Sequence, residues 1–216
     1  MQLTTPSDRI RLKRYRVGEA WKGHAPSKPP YQDPSDYPNV VSIPTGLAFQ
    51  TRDGLAYTLQ RVTPADVELL DEFMRRLSEK TRWLRFMTAR PCSPEFVRAE
   101  VARMVAGSAG NSITLILTEA RDGSEAVAAV AELVYTRESG TGEVGVVVMD
   151  DAQRKGIGSL LLQQQLLIAQ EIGLTHLHGD MFVENYAIQR LIKALQLPYT
   201  ATIQSGEMQI TVRVPE

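Results

Sequence analysis

The chain has 216 residues, 43% of them hydrophobic and 23% charged, enough for one soluble globular domain with length to spare. Lys and Arg (24) nearly balance Asp and Glu (25), so no global charge draws the protein to nucleic acid or an anionic membrane. Cys92 is the sole cysteine, which excludes an internal disulfide and a cysteine-based zinc site and makes a reducing, cytoplasmic compartment the expectation. No apolar run approaches the roughly 20 residues of a membrane span, and residues 1–23 lack the apolar block of a secretory signal, so no membrane association is expected.

Residues 1–46 hold seven of the twelve prolines (Pro6, Pro26, Pro29, Pro30, Pro34, Pro38 and Pro44) and open on a basic cluster, Arg9, Arg11, Lys13, Arg14 and Arg16. Proline fixes φ and lacks the donor that helices and ladders use. We read this stretch as an irregular arm, either solvated or able to dock an anion or partner, and residues 47–216 as the folded domain.

Residues 48–51 and 56–62 read as strands joined by an Asp53-Gly54 turn. Thr63, Pro64 and Asp66 then supply a cap, a first-turn proline and a first-turn acid, and Leu70, Phe73, Met74 and Leu77 follow at helical spacing over 64–77. Ser93-Pro94-Glu95 repeats that start for a second helix with Val97, Val101, Met104 and Val105 on its buried stripe, ending at Gly107. The period then changes to that of strands at 112–120, 126–136 and 143–148, an antiparallel meander. A helix over 158–172, a strand over 176–182, a helix over 185–195 and a hairpin of 199–203 with 208–214 complete a mixed α/β (α+β) pattern of one sheet covered by helices.

The chemistry concentrates at residues 146–159. A strand containing Val146, Val147 and Val148 runs into Gln153-Arg154-Lys155-Gly156-Ile157-Gly158-Ser159, where a helix starts. Main-chain N–H groups and the positive end of the helix dipole converge there, two glycines remove β-carbons, and Arg154 and Lys155 add charge, a combination suited to a phosphate. The Walker A pattern is excluded because no glycine in the loop precedes Lys-Ser or Lys-Thr, and the Rossmann fingerprint is excluded by Leu161 in place of its third glycine. A tight strand-to-helix turn with solvated basic residues has the same composition, so the loop does not decide alone.

Gln153-Arg154-Lys155-Gly156-Ile157-Gly158 resembles the Gln/Arg-x-x-Gly-x-Gly/Ala signature of the GNAT (Gcn5-related N-acetyltransferase) superfamily. Asn185-Tyr186-Ala187-Ile188 resembles the family's later Asn-containing helix, and residues 58–66 resemble its first strand and helix. Within that superfamily, Arg52-Asp53-Gly54, the run 77–86 and residues 179–195 are similar to bacterial Pat-type protein lysine acetyltransferases.

The resemblance implies a mostly antiparallel sheet splayed at the cofactor and acetyl-CoA as cosubstrate. It also implies an amine acceptor, possibly a protein lysine, with no metal. Its pantetheine arm would pair with Val146, Val147 and Val148, its pyrophosphate would sit on the amides of the 153–159 loop, and Asn185 would support the far side. An amide-rich ligand along a strand lacking a ladder partner acts as a pseudo-strand.

A lysine ammonium lies about 3.4 pKa units above neutral, so exposing its lone pair costs roughly 4–5 kcal/mol, work that a carboxylate can share. Glu143 occupies the position at which lysine-acetylating relatives carry a glutamate, and Glu132 is the second candidate. Ile192 and Gln196-Leu197 replace the tyrosine and the Gly-Phe usual in the last helix. A thiol of pKa about 8.5 leaves tolerably without an acid, and Tyr186 is a weak substitute.

Three further features read as structural. His176, His178 and Asp180 share one strand face but are expected to pack or face solvent instead of binding metal. Trp83, Phe86 and Phe96 read as packing, and Cys92 has no activating neighbour. A non-catalytic acetyl-CoA sensor and a small-molecule amine acetyltransferase stand as alternative functions.

Overall fold

The computed structural model describes residues 46–51, 54–87, 93–107, 111–121, 123–136 and 138–215. The proline-rich arm and its basic cluster, Asp53 of the first turn, and Cys92 lie outside the described residues. Eight strands form one sheet in the order β1-β2-β3-β4-β5-β6-β8-β7. In chain order they are β1 (Leu47–Gln50), β2 (Ala56–Arg61), β3 (Ser112–Arg121), β4 (Ser124–Thr136), β5 (Thr141–Val148), β6 (His176–Phe182), β7 (Tyr199–Gln204) and β8 (Glu207–Arg213). Every neighbouring pair is antiparallel except β5 with β6. The expected meander is β3-β4-β5, and the expected terminal hairpin is β7-β8.

The helices are α1 (Val67–Arg76), α2 (Glu79–Phe86), α3 (Pro94–Gly107), α4 (Ile157–Glu171) and α5 (Tyr186–Ala194). A 3-10 turn over Pro64–Asp66 leads into α1, where the buried Asp66 carboxylate accepts from the Thr63 N–H at 2.7 Å and the Thr63 hydroxyl at 2.8 Å. Capping therefore fixes the entry of α1 as its sequence implies. α1 packs on α3 and β4, and α4 packs on β4 and β5. β4 thus has helices on both faces, and Ala126 to Leu133 are buried without alternation, as Ala and Val in a doubly covered strand permit.

α2 is the element that the sequence reading does not contain. Its N-cap, Ser78, accepts from Thr81 N–H at 3.1 Å, and it ends at Met87, whose φ of 50° closes a left-handed cap. None of its residues is buried, and the charged Lys80, Arg82 and Arg85 interrupt any apolar stripe. The signal that periodicity needs is absent.

The break in the sheet positions the site. β5 pairs with β4 along its whole length, from Thr141↔Thr136 to Val148↔Ala129. Against β6 it pairs only at Thr141↔His176, Gly142↔Leu177 and Glu143↔His178. Beyond Glu143 the two strands part, and β6 continues with β8.

Candidate active site

Residues Val144 to Val148 therefore form a ladder on one side only among the described residues. At the end of this open edge the chain makes a 3-10 turn over Asp150–Ala152 and enters α4. Positive φ at Arg154 (64°) and Gly156 (90°) coils the connection tightly, and Gly156 is the N-cap of α4. The first N–H groups of that helix have no acceptor in the preceding turn and face outward with the positive end of its dipole.

The two glycines of the motif do different work. A β-carbon at Gly156 would meet nothing within 4 Å, but its φ disfavours any L side chain. A β-carbon at Gly158 would lie 2.8 Å from Leu191 Cδ1, so Gly158 lets α4 and α5 approach each other. Gly158 thus serves packing against α5 and also lines the cavity at the helix start, where its missing β-carbon leaves the amides open.

Two adjoining cavities follow the open edge. One, of about 320 Å³, is walled by Val146, Val147 and Val148, by Gln153, Arg154, Gly156, Gly158 and Ser159, and by Asn185. Lys155 and Ile157 do not line it, and Ile157 is a core residue. Val147 is buried as well, so any contact with a ligand there runs through its main chain. Asn185 caps α5, its Oδ1 accepting from Ile188 N–H at 3.5 Å, and lines both cavities. The second cavity, of about 420 Å³, contains Glu143 on its wall and shares Leu84, Arg85, Val146 and Ile188 with the first.

Strand alternation assigns the faces of β5. A β-carbon at Gly145 would strike the Arg85 guanidinium at 2.6 Å, and Gly142 points at Leu133, Leu174 and Leu177. Glu143 and Gly145 therefore face α2 and α3, and Val144 and Val146 face α4 and α5. Opposite Gly145, the buried Glu132 (3% exposed) accepts from Arg85 Nη2 at 2.5 Å and from Arg103 Nη2 at 3.0 Å through Oε2. Arg103 Nη1 stands 2.8 Å from Oε1, an ion-pair contact without hydrogen-bond alignment. Burial opposes the Arg103 charge, but hydrogen bonds to Glu132 and Glu100 outweigh it and raise the guanidinium pKa. Glu132 is thus committed to two cations, whereas Glu143 is exposed on the cavity wall.

A second set of contacts ties α2 to the loop. Asp150 accepts from Ser78 N–H (3.1 Å), Ser78 hydroxyl (2.7 Å) and Thr81 hydroxyl (2.8 Å). Burial pushes the Asp150 carboxyl up, but these hydrogen bonds prevail and hold it below the usual carboxylate value. Gln153 Nε2 donates to Val148 O at 3.1 Å, fastening the loop to the open strand. Gln165 of α4 donates to the main-chain oxygens of Glu132 (2.6 Å) and Gly145 (3.4 Å). Arg85, Glu132 as an anchor, Asp150 and Gln165 are the site residues that the sequence reading missed. Each acts through a partner 20 to 72 positions away in the chain, so the sequence offers Glu132 only as a second base candidate and Arg85 only within the run 77–86.

Of the remaining candidates, Phe86, His178, Asp180 and Ile192 line the larger cavity, and Trp83, Phe96, His176 and Tyr186 do not. Trp83 stacks on Phe182 with centroids 4.2 Å apart, and Phe86 meets Phe96 edge to face at 5.3 Å. His176 is half-buried beside Thr175, and burial, then Arg213, lowers its pKa, while Asp180 accepts from Gln209 at 3.0 Å. Among the described residues, no cluster of three or more His, Cys, Asp or Glu side chains is arranged to hold a metal. Among them, too, no helix is long and apolar enough to cross a membrane. Tyr186 is 65% exposed, and the buried Ile192 lines the larger cavity.

A mixed sheet opened between two parallel strands, with a glycine-punctuated helix start at the opening, is the architecture of the site. The chain belongs to the GNAT acetyltransferase family: the family model described as acetyltransferase (GNAT) domain matches residues 57–197. It is 27% identical over 159 residues to acetyltransferase Pat of Mycolicibacterium smegmatis, covering 72% of this chain and 45% of that protein. The chain thus spans less than half the length of that curated relative. Its fold is similar to the GNAT domain of S. lividans PAT (TM-score 0.66, 20% identity, 78% of this chain and 96% of that one). It is also similar to the structure of yncA from Salmonella typhimurium with its cofactor acetyl-CoA (TM-score 0.54, 18% identity, 74% and 95%).

Proposed function

We propose that this protein binds acetyl-CoA along the open edge of β5 and transfers the acetyl group to an amine, with a protein lysine as the acceptor class. The observation that carries this reading is the parting of β5 and β6 after Glu143, which leaves a strand edge unpaired among the described residues and leading straight to the N-terminus of α4. A pantetheine arm has the amides to pair with that edge, and its pyrophosphate suits the helix start, with Arg154 at hand. The acetyl-CoA in the Salmonella structure and the Pat name of the mycobacterial relative support the cofactor and the acceptor class respectively.

In this reading Glu143 is the general base. It lines the cavity that continues from the cofactor channel, on the face toward α2 and α3. It takes a proton from the acceptor ammonium, the neutral amine nitrogen attacks the thioester carbonyl carbon, the carbon–sulfur bond breaks, CoA leaves as thiolate, and the second proton shed by the new amide nitrogen passes to solvent or to that thiolate. No covalent enzyme intermediate is needed. Ile192 supplies no proton to that thiolate, which leaves unaided at a thiol pKa of about 8.5. The described residues that line this site all lie downstream of residue 46, and in this reading residues 1–46 are dispensable for cofactor binding.

Calorimetry with CoA and acetyl-CoA, followed by mass spectrometry of lysine-rich protein and polyamine acceptors, tests the reading. Binding at the loop with mass gains of one acetyl group on lysine supports it, and failure to bind either thioester or free CoA would contradict it. Tight binding with no transfer to any amine would favour a sensing module, the alternative consistent with an apolar Ile192 in the cavity.

A further inference from the structure

The larger cavity has two chemically different halves, and the faces of the sheet separate them. On the α2 and α3 side its wall carries Arg85, Glu100, Arg103, Glu143, His178 and Asp180. On the α4 and α5 side it is mainly aliphatic, carrying Leu162, Leu166, Ile188, Ile192, Ile210 and Val212, with Gln165 and Asn185 its polar members. The division follows from strand alternation. Glu143 is level with His178, which is level with Thr211, so these three share one face. Leu177 is level with Val212, and Gly179 with Ile210, which puts the β8 aliphatics on the opposite face with the leucines of α4. The gap between β5 and β6 joins the halves, and the channel beside Val146 and Ile188 opens into it.

We infer that the aliphatic half is an acyl-chain chamber, so that this protein accepts linear acyl-CoA thioesters longer than acetyl, with propionyl and butyryl the chains that it holds best. The inference rests on the proposed cofactor site. A thioester held at the gap has its carbonyl between the two halves. The amine needs Glu143 and comes from the charged side. An aliphatic chain on the carbonyl carbon avoids the ionic groups by turning to the α4 and α5 side, where it buries methylenes against six branched side chains. The bonds made and broken are those of acetyl transfer: the amide nitrogen gains the acyl carbon, and CoA thiolate leaves.

The test needs no acceptor. Calorimetric titration of the full chain with CoA, acetyl-CoA, propionyl-CoA and butyryl-CoA should show affinity rising two- to fourfold with each methylene beyond acetyl, as burial of a methylene predicts. Ile192→Phe fills the chamber and should abolish the butyryl advantage, and Ile192→Ala should extend the rise to hexanoyl-CoA. Each comparison is a ratio of ligands on one preparation, so partial loss of folded protein cancels, and the wild-type series stands without any variant. Acetyl-CoA and butyryl-CoA binding within twofold of each other, or butyryl-CoA binding more weakly, would overturn the chamber while leaving the acetyltransferase reading intact. Absence of binding by every thioester and by CoA itself would overturn both.

Discussion

At the scale of single residues, glycines and buried ions give the sharpest expectations. Gly156→Leu forces a branched side chain onto a φ of 90°, which costs roughly 1–3 kcal/mol of backbone strain, and moves the helix start against which the phosphate would sit. CoA affinity should drop at least tenfold by calorimetry, with a fall in melting temperature of a few degrees. Unchanged affinity would remove the loop from the site. Glu132→Gln strips the partner from Arg85 and Arg103. Uncompensated buried charge costs about 3–5 kcal/mol, and because Arg103 is near half exposed we expect about 2–4, or roughly 4–16 °C in melting temperature. A shift under 2 °C would show the anchor to be dispensable. The glycine pair was legible as a motif, but the division of labour was not. That Gly158 answers to Leu191 and Gly145 to Arg85 depends on distances between elements far apart in the chain.

At the scale of elements, the capped helices and the meander were legible because each carries its own signal, such as Thr63 with Asp66 at the start of α1 or the β-branched runs of β3 and β4. α2 was not. It is short and amphipathic only weakly, and tertiary contacts hold it, chief among them the Asp150 carboxylate bound by Ser78 and Thr81. This staple makes a pH prediction. Because the folded-state pKa of Asp150 is depressed, its stabilisation is fully present above the unfolded value of about 3.9 and is lost as pH falls through the lower folded value. Asp150→Asn lacks that contribution at all pH values. The melting-temperature gap between wild type and variant should therefore be constant above about pH 5 and close below about pH 4. A gap that persists undiminished into acid would show that the contact does not depend on the carboxylate's charge.

At the scale of the whole molecule, strand order and the sheet's opening position the candidate site. Apart from α2, the succession of elements was readable along residues 47–216, and the family signature pointed to the right fold. The short parallel pairing of β5 with β6 was not readable, because its three registered pairs join segments more than thirty residues apart. Nor was the two-sided character of the larger cavity, which needs the faces of β5, β6 and β8 in register. Among the described residues those of the site all follow position 76, and we expect a chain starting at Leu47 to bind CoA with wild-type affinity. A soluble truncation that fails to bind would show the arm to belong to the site. The most direct measurement for the proposed chemistry is the pH profile of acyl transfer by Glu143→Gln. We expect turnover reduced roughly 10²- to 10⁴-fold at neutral pH with CoA affinity nearly unchanged, and convergence with wild type as pH approaches about 10, where the acceptor lysine deprotonates without help. Wild-type turnover by that variant at neutral pH would contradict the account.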